Sequence, residues 1–157
     1  MKSKVLAALV LFTIFLSLSA GTAEAVTYYY TGLWAGQNIY CGWLSVEIDG
    51  DTLSVTYYVF SGWTIAETHL YVGIDPPTKS APGQFPFKTP IILPDGSHQY
   101  IVSLASIGAG PGDDIYIAAH ATVTNCLQEE TAWAGCEDYS VPFGRGWASY
   151  FIVSVPS

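Results

Sequence analysis

Ile39-Tyr40-Cys41-Gly42-Trp43-Leu44-Ser45-Val46-Glu47-Ile48-Asp49-Gly50-Asp51-Thr52-Leu53-Ser54-Val55-Thr56-Tyr57-Tyr58-Val59-Phe60 is the stretch that decides the fold. Two β-rich runs, 39–48 and 52–60, flank Asp49-Gly50-Asp51. Glycine tolerates the positive φ that a tight hairpin turn requires, so Asp-Gly between such runs predicts an antiparallel pair. In the second arm Leu53, Val55 and Tyr57 alternate with Thr52, Ser54 and Thr56. A period of two places each set on its own face and marks a half-buried strand.

The same signals recur on both sides of this hairpin. Upstream, consecutive Tyr28, Tyr29 and Tyr30 must point to alternating faces if extended, which sends at least one to solvent or a partner. Downstream, residues 64–72 predict a strand with Leu70 and Val72 on one face and Glu67, His69 and Tyr71 on the other. Residues 75–94 hold Pro76, Pro77, Pro82, Pro86, Pro90 and Pro94, so they exclude a central strand and predict a long ordered crossover between sheets. Asp95-Gly96 is a turn, followed by a strand over 98–105. A Gly/Pro loop at 108–112 precedes a strand over 115–124, with Ile115, Ile117, Ala119, Ala121 and Val123 on one face and His120 on the other. Residues 127–133 predict a short helical turn, and 147–155 the last strand. The expected fold is all-β: an antiparallel β-sandwich of about six to eight strands, with a closed β-barrel as the alternative.

The N-terminus reads differently. Lys2 and Lys4 precede an apolar run from Val5 to Ala20, and Ala23-Glu24-Ala25 supplies the small-x-small pattern of a cleavage site. Residues 1–25 are therefore expected to be a signal peptide, and 26–157 a single secreted, extracellular domain. The run is shorter than the ~20 residues of a membrane-spanning helix, and no membrane span is expected once the signal is removed.

The chain carries a formal charge of −8, and loss of residues 1–25 leaves only Lys79, Lys88 and Arg145 as basic groups. That excludes nucleic acid as a partner, because phosphate binding needs clustered Lys and Arg. Charged residues make up 11% and aromatics 15% of the chain, a composition of sheet rather than of disorder. Cysteine is odd in number: Cys41, Cys126 and Cys136. Cys126 and Cys136 bracket a short polar segment and are the expected disulfide, which leaves Cys41 buried as a small apolar residue.

Several strings taken together resemble a recurring secreted, β-rich domain family of bacteria and archaea that is functionally uncharacterised. They are Ala35-Gly36-Gln37, Gly62-Trp63-Thr64-Ile65-Ala66-Glu67-Thr68-His69-Leu70-Tyr71-Val72-Gly73, Pro82-Gly83-Gln84-Phe85-Pro86-Phe87-Lys88, Ile115-Tyr116-Ile117-Ala118-Ala119-His120-Ala121, Glu130-Thr131-Ala132-Trp133-Ala134-Gly135 and Gly146-Trp147-Ala148-Ser149-Tyr150-Phe151. The resemblance implies secretion and a β-rich fold, and carries no catalytic residue with it. Cys41 and Trp43 stand where it leads one to expect small or β-branched residues.

Three groups of side chains are candidates for chemistry. Glu67, His69, His120 and Glu130 would supply imidazoles and carboxylates for a zinc or copper ion, or for acid/base work, if their strands are neighbours. A buried hydrogen-bond network that fixes packing is the reading favoured for them. Asp113 and Asp114, after Gly110-Pro111-Gly112, would supply part of a calcium shell, although no cofactor is the leading expectation. The early aromatics Tyr28, Tyr29, Tyr30, Trp34, Tyr40 and Trp43 would stack on sugar rings if exposed. Hydrolase signatures such as Gly-x-Ser-x-Gly and His-Glu-x-x-His do not occur. The leading expectation is a non-enzymatic extracellular or cell-surface module with a structural or interaction role, its partners surface or matrix proteins or glycans. The alternatives are a carbohydrate- or calcium-binding module, and a small secreted enzyme or metalloprotein using Glu67, His69 and His120.

Overall fold

The computed structural model describes residues 26–135 and 139–157. The expected signal peptide, and Cys136 as the expected partner of Cys126, lie outside the described residues. Ten strands follow one another: β1 (Thr27–Ala35), β2 (Ile39–Asp49), β3 (Thr52–Val59), β4 (Thr64–Gly73), β5 (Ile91–Ile92), β6 (His98–Ser103), β7 (Asp114–Thr124), β8 (Glu129–Ala134), β9 (Val141–Pro142) and β10 (Ser149–Ser154). Among the described residues the only helical pieces are single 3-10 turns at Pro82–Gln84 and Ala105–Ile107.

All pairings are antiparallel. One layer runs β5-β6-β3-β2-β1 and the other β4-β7-β8, with β10 and β9 continuing from β7. The layers join where Leu33, Trp34 and Ala35 of β1 pair with Ala134, Trp133 and Ala132 of β8. The sheet is folded over as a sandwich and is not closed into a barrel. β7 is the hub of the second layer. Its first half pairs with β10 and its second half with β8 on one edge, while β4 runs along the other.

The core follows from the period-two pattern. Leu53, Val55 and Tyr57 of β3 face Ile115, Ile117 and Val123 of β7, all fully buried in one cluster. Two tyrosines cross it. Tyr57 Oη donates to the His69 carbonyl at 3.1 Å, and Tyr100 Oη donates to the Thr68 carbonyl at 3.0 Å. A buried hydroxyl must find a partner, and these two find theirs on the opposite layer. β4 carries a bulge at Ala66, between Ile65 and Glu67. The extra residue reverses the alternation, so Ile65 reaches the core on one side of it and Thr68, Leu70 and Val72 on the other.

β7 is buried on both faces. Ala118 and His120, turned away from the main core, join Trp133, Phe85 and Ala148 in a second cluster. Phe85 comes from the proline-rich crossover, which runs from β4 in one layer to β5 and β6 in the other, as its prolines predict. That segment is tied to the β4 edge by hydrogen bonds between Leu70 and Phe87 in both directions, at 2.9 and 3.2 Å.

The helical turn expected over 127–133 is not formed; most of it is strand β8. Asn125 Oδ1 accepts from the Leu127 and Gln128 amides at 2.9 and 3.0 Å and makes the preceding turn. Ala132 and Ala134 then alternate inward against β7. β6 ends at Ser103, short of the expected Ala105. There the Asp51 carboxylate takes the Ser103 hydroxyl at 2.6 Å and the Ala105 amide at 2.8 Å, drawing the chain into a turn.

Candidate functional site

The register of β4 on β7 sets His69 directly opposite His120. Their ring centroids are 5.5 Å apart, and His120 continues to Trp133 at 5.0 Å in an edge-to-face contact. Glu67 Oε1 lies 3.2 Å from His69 Nε2. Glu130 does not join them. It pairs with Val123, a core-facing residue, while His120 pairs with Trp133 three residues further along β8. Period-two alternation therefore puts Glu130 on the face opposite His120. Its carboxylate lies beside Gly36.

Both imidazoles are buried, and among the described residues neither Nδ1 has a hydrogen-bond partner. The neighbouring Thr68 turns its hydroxyl to Tyr100 at 2.8 Å. Burial, with His69 as the lesser cause, pushes the His120 imidazole down to about 4. His120 is therefore neutral at neutral pH. Among the described residues no three His, Cys, Asp or Glu side chains come close enough to share a metal ion. The histidines thus form a row of packed rings, His69–His120–Trp133, rather than a ligand shell.

Asp113 and Asp114 are engaged locally. Asp113 Oδ2 accepts from the Gly110 amide at 2.9 Å, and Asp114 Oδ1 accepts from the Ser154 hydroxyl at 2.7 Å. The two carboxylates thus shape a turn and fasten the end of β10. Cys41 is fully buried, its thiol directed at the Leu33 carbonyl 3.4 Å away. Burial pushes that thiol up to about 11, which makes it inert as a nucleophile. Cys126 is exposed and, like Cys41, a free thiol, so no disulfide is formed among the described residues.

A cleft that the sequence reading did not assemble lies at the junction of the two layers. It has a volume of about 760 Å³ and is lined by Trp34, Trp133 and Trp147, with Gln37, Asn38 and Ser149 among its polar groups. The β1–β8 register explains the convergence, because Trp34 stands opposite Trp133. The β1–β2 turn adds its tip, Gln37 and Asn38, both exposed. The segment between β9 and β10 brings Trp147. Trp34 Nε1 donates to the Gly135 carbonyl at 3.0 Å, which fixes that indole. Gln37 has a φ of 75°, and it is the one non-glycine residue with positive φ among the described residues. Such strain persists where the surroundings hold it, and it concentrates at ligand sites. Among the described residues no charged side chain lines the cleft; Glu137 and Asp138, between the lining residues Gly135 and Ser140 in sequence, lie outside the described residues.

A smaller cavity, about 430 Å³, opens at the other end of the sandwich between Ile48, Leu104, Ala109 and Val155. The carboxylate that borders it, Asp51, is already bound to Ser103 and Ala105. The tryptophan cleft is thus the better candidate, with its size in the range of ligand pockets and its apolar walls carrying a few placed polar groups. Each tryptophan was visible in the sequence, Trp34 among the early aromatics and Trp133 and Trp147 within the family-like strings. Their meeting depends on long-range register, which local sequence does not carry. Comparison of the chain with family models, with curated proteins and with solved structures gives no match.

Proposed function

We propose that this chain is a non-enzymatic interaction module of the cell exterior that takes a neutral glycan in the tryptophan cleft. The observation that carries the reading is the convergence of Trp34, Trp133 and Trp147 with amide and hydroxyl side chains in one cleft. Sugars present C–H faces that pack on indole rings and hydroxyls that pair with amides, so apolar walls with few polar groups suit them. An anionic ligand would enter without a basic partner among the described lining residues, which is costly in a partly dehydrated site. The His69–His120 row does not compete as a catalytic centre, because both imidazoles are buried, His120 against Trp133, rather than open to a substrate.

Export belongs to the same proposal. The basic start, apolar run and Ala23-Glu24-Ala25 boundary support cleavage before Val26. An oxidising exterior supports a Cys126–Cys136 disulfide, with exposed Cys126 free to reach it. A glycan microarray probed with the purified protein tests the binding. Neutral glycans are expected to be retained, and Trp147→Ala should lower their signal about tenfold, equivalent to roughly 1.4 kcal/mol. Retention confined to anionic glycans, or equal retention of the variant, contradicts the cleft assignment.

A further inference from the structure

The outer face of the first layer continues the cleft. Trp34 and Tyr40 are cross-strand neighbours, and their ring centroids are 5.0 Å apart. Both rings lie down over Gly32: a Cβ there would meet Trp34 Nε1 at 2.6 Å and a Tyr40 ring carbon at 3.1 Å. Glycine at this position lets two aromatic rings lie along the sheet instead of standing on edge. Phe60 follows, 5.0 Å from Tyr40. Tyr40 and Phe60 remain 47% and 36% exposed, although a burial site for two such rings would have excluded water. Trp34 thus belongs both to the cleft and to an aromatic row that crosses β1, β2 and the end of β3.

We propose that the cleft is one end of an extended site, continued by Tyr40 and Phe60, that holds a single twisted strand of a neutral polysaccharide. The inference rests on the glycan reading of the cleft. Length follows from continuity, because rings spaced at successive strands offer successive contacts to a polymer and nothing further to a monosaccharide. The twist follows from ring orientation. Trp34 and Tyr40 are inclined by 36°, and Tyr40 and Phe60 by 81°, so no flat surface touches all three faces. A chain that rotates from residue to residue does, whereas the face of a crystalline polysaccharide does not. Neutrality follows from charge: the protein is acidic overall, and among the described residues no basic side chain lines the cleft.

Calorimetry with β-linked oligosaccharides of glucose, N-acetylglucosamine, mannose and xylose, each as disaccharide and hexasaccharide, tests the proposal. In at least one series the hexasaccharide should bind about tenfold or more tightly than the disaccharide. Tyr40→Ala and Phe60→Ala should remove that gain, and Phe60→Ala, whose ring touches no described lining residue of the cleft, should leave disaccharide affinity unchanged; both residues are exposed, and thermal melts establish that the variants fold. Equal affinity for both lengths, or a gain that survives in both variants, overturns the extended site and leaves the cleft reading intact. Stronger retention on insoluble crystalline cellulose or chitin than on the soluble chains overturns the single-strand geometry. Absence of binding by every oligosaccharide overturns the cleft reading and the extension with it, and assigns the aromatic row to a protein partner.

Discussion

His120 shows how burial gives a residue a measurable signature. Its imidazole is held neutral, down at about 4 in the folded chain against 6.5 unperturbed, chiefly because it is dehydrated. Between those values the unfolded chain binds the extra proton, so stability is full above pH 6.5 and falls as pH drops toward about 4. The loss is on the order of 3 kcal/mol at most. His98, also lowered by burial, acts in the same direction. We predict that urea unfolding free energies decline over this window and that His120→Phe, which keeps a ring beside Trp133, flattens the decline. An unaltered pH slope in the variant would show that His120 is not its source. The sequence grouped Glu67, His69 and His120 on the condition that their strands are neighbours, and the pairing of β4 with β7 meets that condition. It misplaced Glu130, because facing depends on the β7–β8 register. Gln37 stood in the sequence only within the family-like string Ala35-Gly36-Gln37, and its positive φ of 75° is a property of the folded loop. Gln37→Gly should relieve strain of about 1 kcal/mol and raise the melting temperature by a few degrees, while weakening glycan binding. A variant both more stable and equally able to bind would remove Gln37 from the site.

Strands were legible where bulky apolar residues alternate with polar ones, and illegible where small residues do the same work. The β2–β3 hairpin, β4 and β7 stand within one or two residues of their expected bounds. β8 reads Glu129-Glu130-Thr131-Ala132-Trp133-Ala134, and two alanines are too small to signal a buried face against a charged start. Bulges were equally hidden: the one at Ala66 changes which residues of β4 face the core, and only the pairing with β7 reveals it. The two layers are held together through β4 by Tyr57 and Tyr100, whose hydroxyls cross the core to its carbonyls. Tyr57→Phe and Tyr100→Phe should each cost about 1 kcal/mol, the net worth of a buried hydrogen bond. Because both act on adjacent residues of one strand, the double variant should depart from additivity. Chemical denaturation of the four proteins measures this, and strict additivity with negligible single losses would show that the layers do not depend on these pegs.

At the scale of the whole molecule, one sheet folded into two layers creates the candidate site at its own seam. β1 belongs to the first layer but ends against β8 of the second, and that short junction aligns Trp34 with Trp133. The turn after β1 and the segment before β10 then close around them. A fold of this class serves many functions, so the claim rests on the cleft and not on the sandwich. The site also explains why an acidic chain carries so many aromatics: some fill the core, while Trp34, Tyr40 and Phe60 occupy a surface the core does not need. Three of the five tryptophans line the cleft, so ligand entry must alter indole emission. The most direct test is therefore a tryptophan fluorescence titration of the purified protein with neutral oligosaccharides, run beside Trp147→Ala. The account predicts a saturable change in intensity or wavelength for the natural sequence and a curve shifted to about tenfold higher concentration in the variant. A flat response across neutral oligosaccharides, or identical curves for the two proteins, would contradict it.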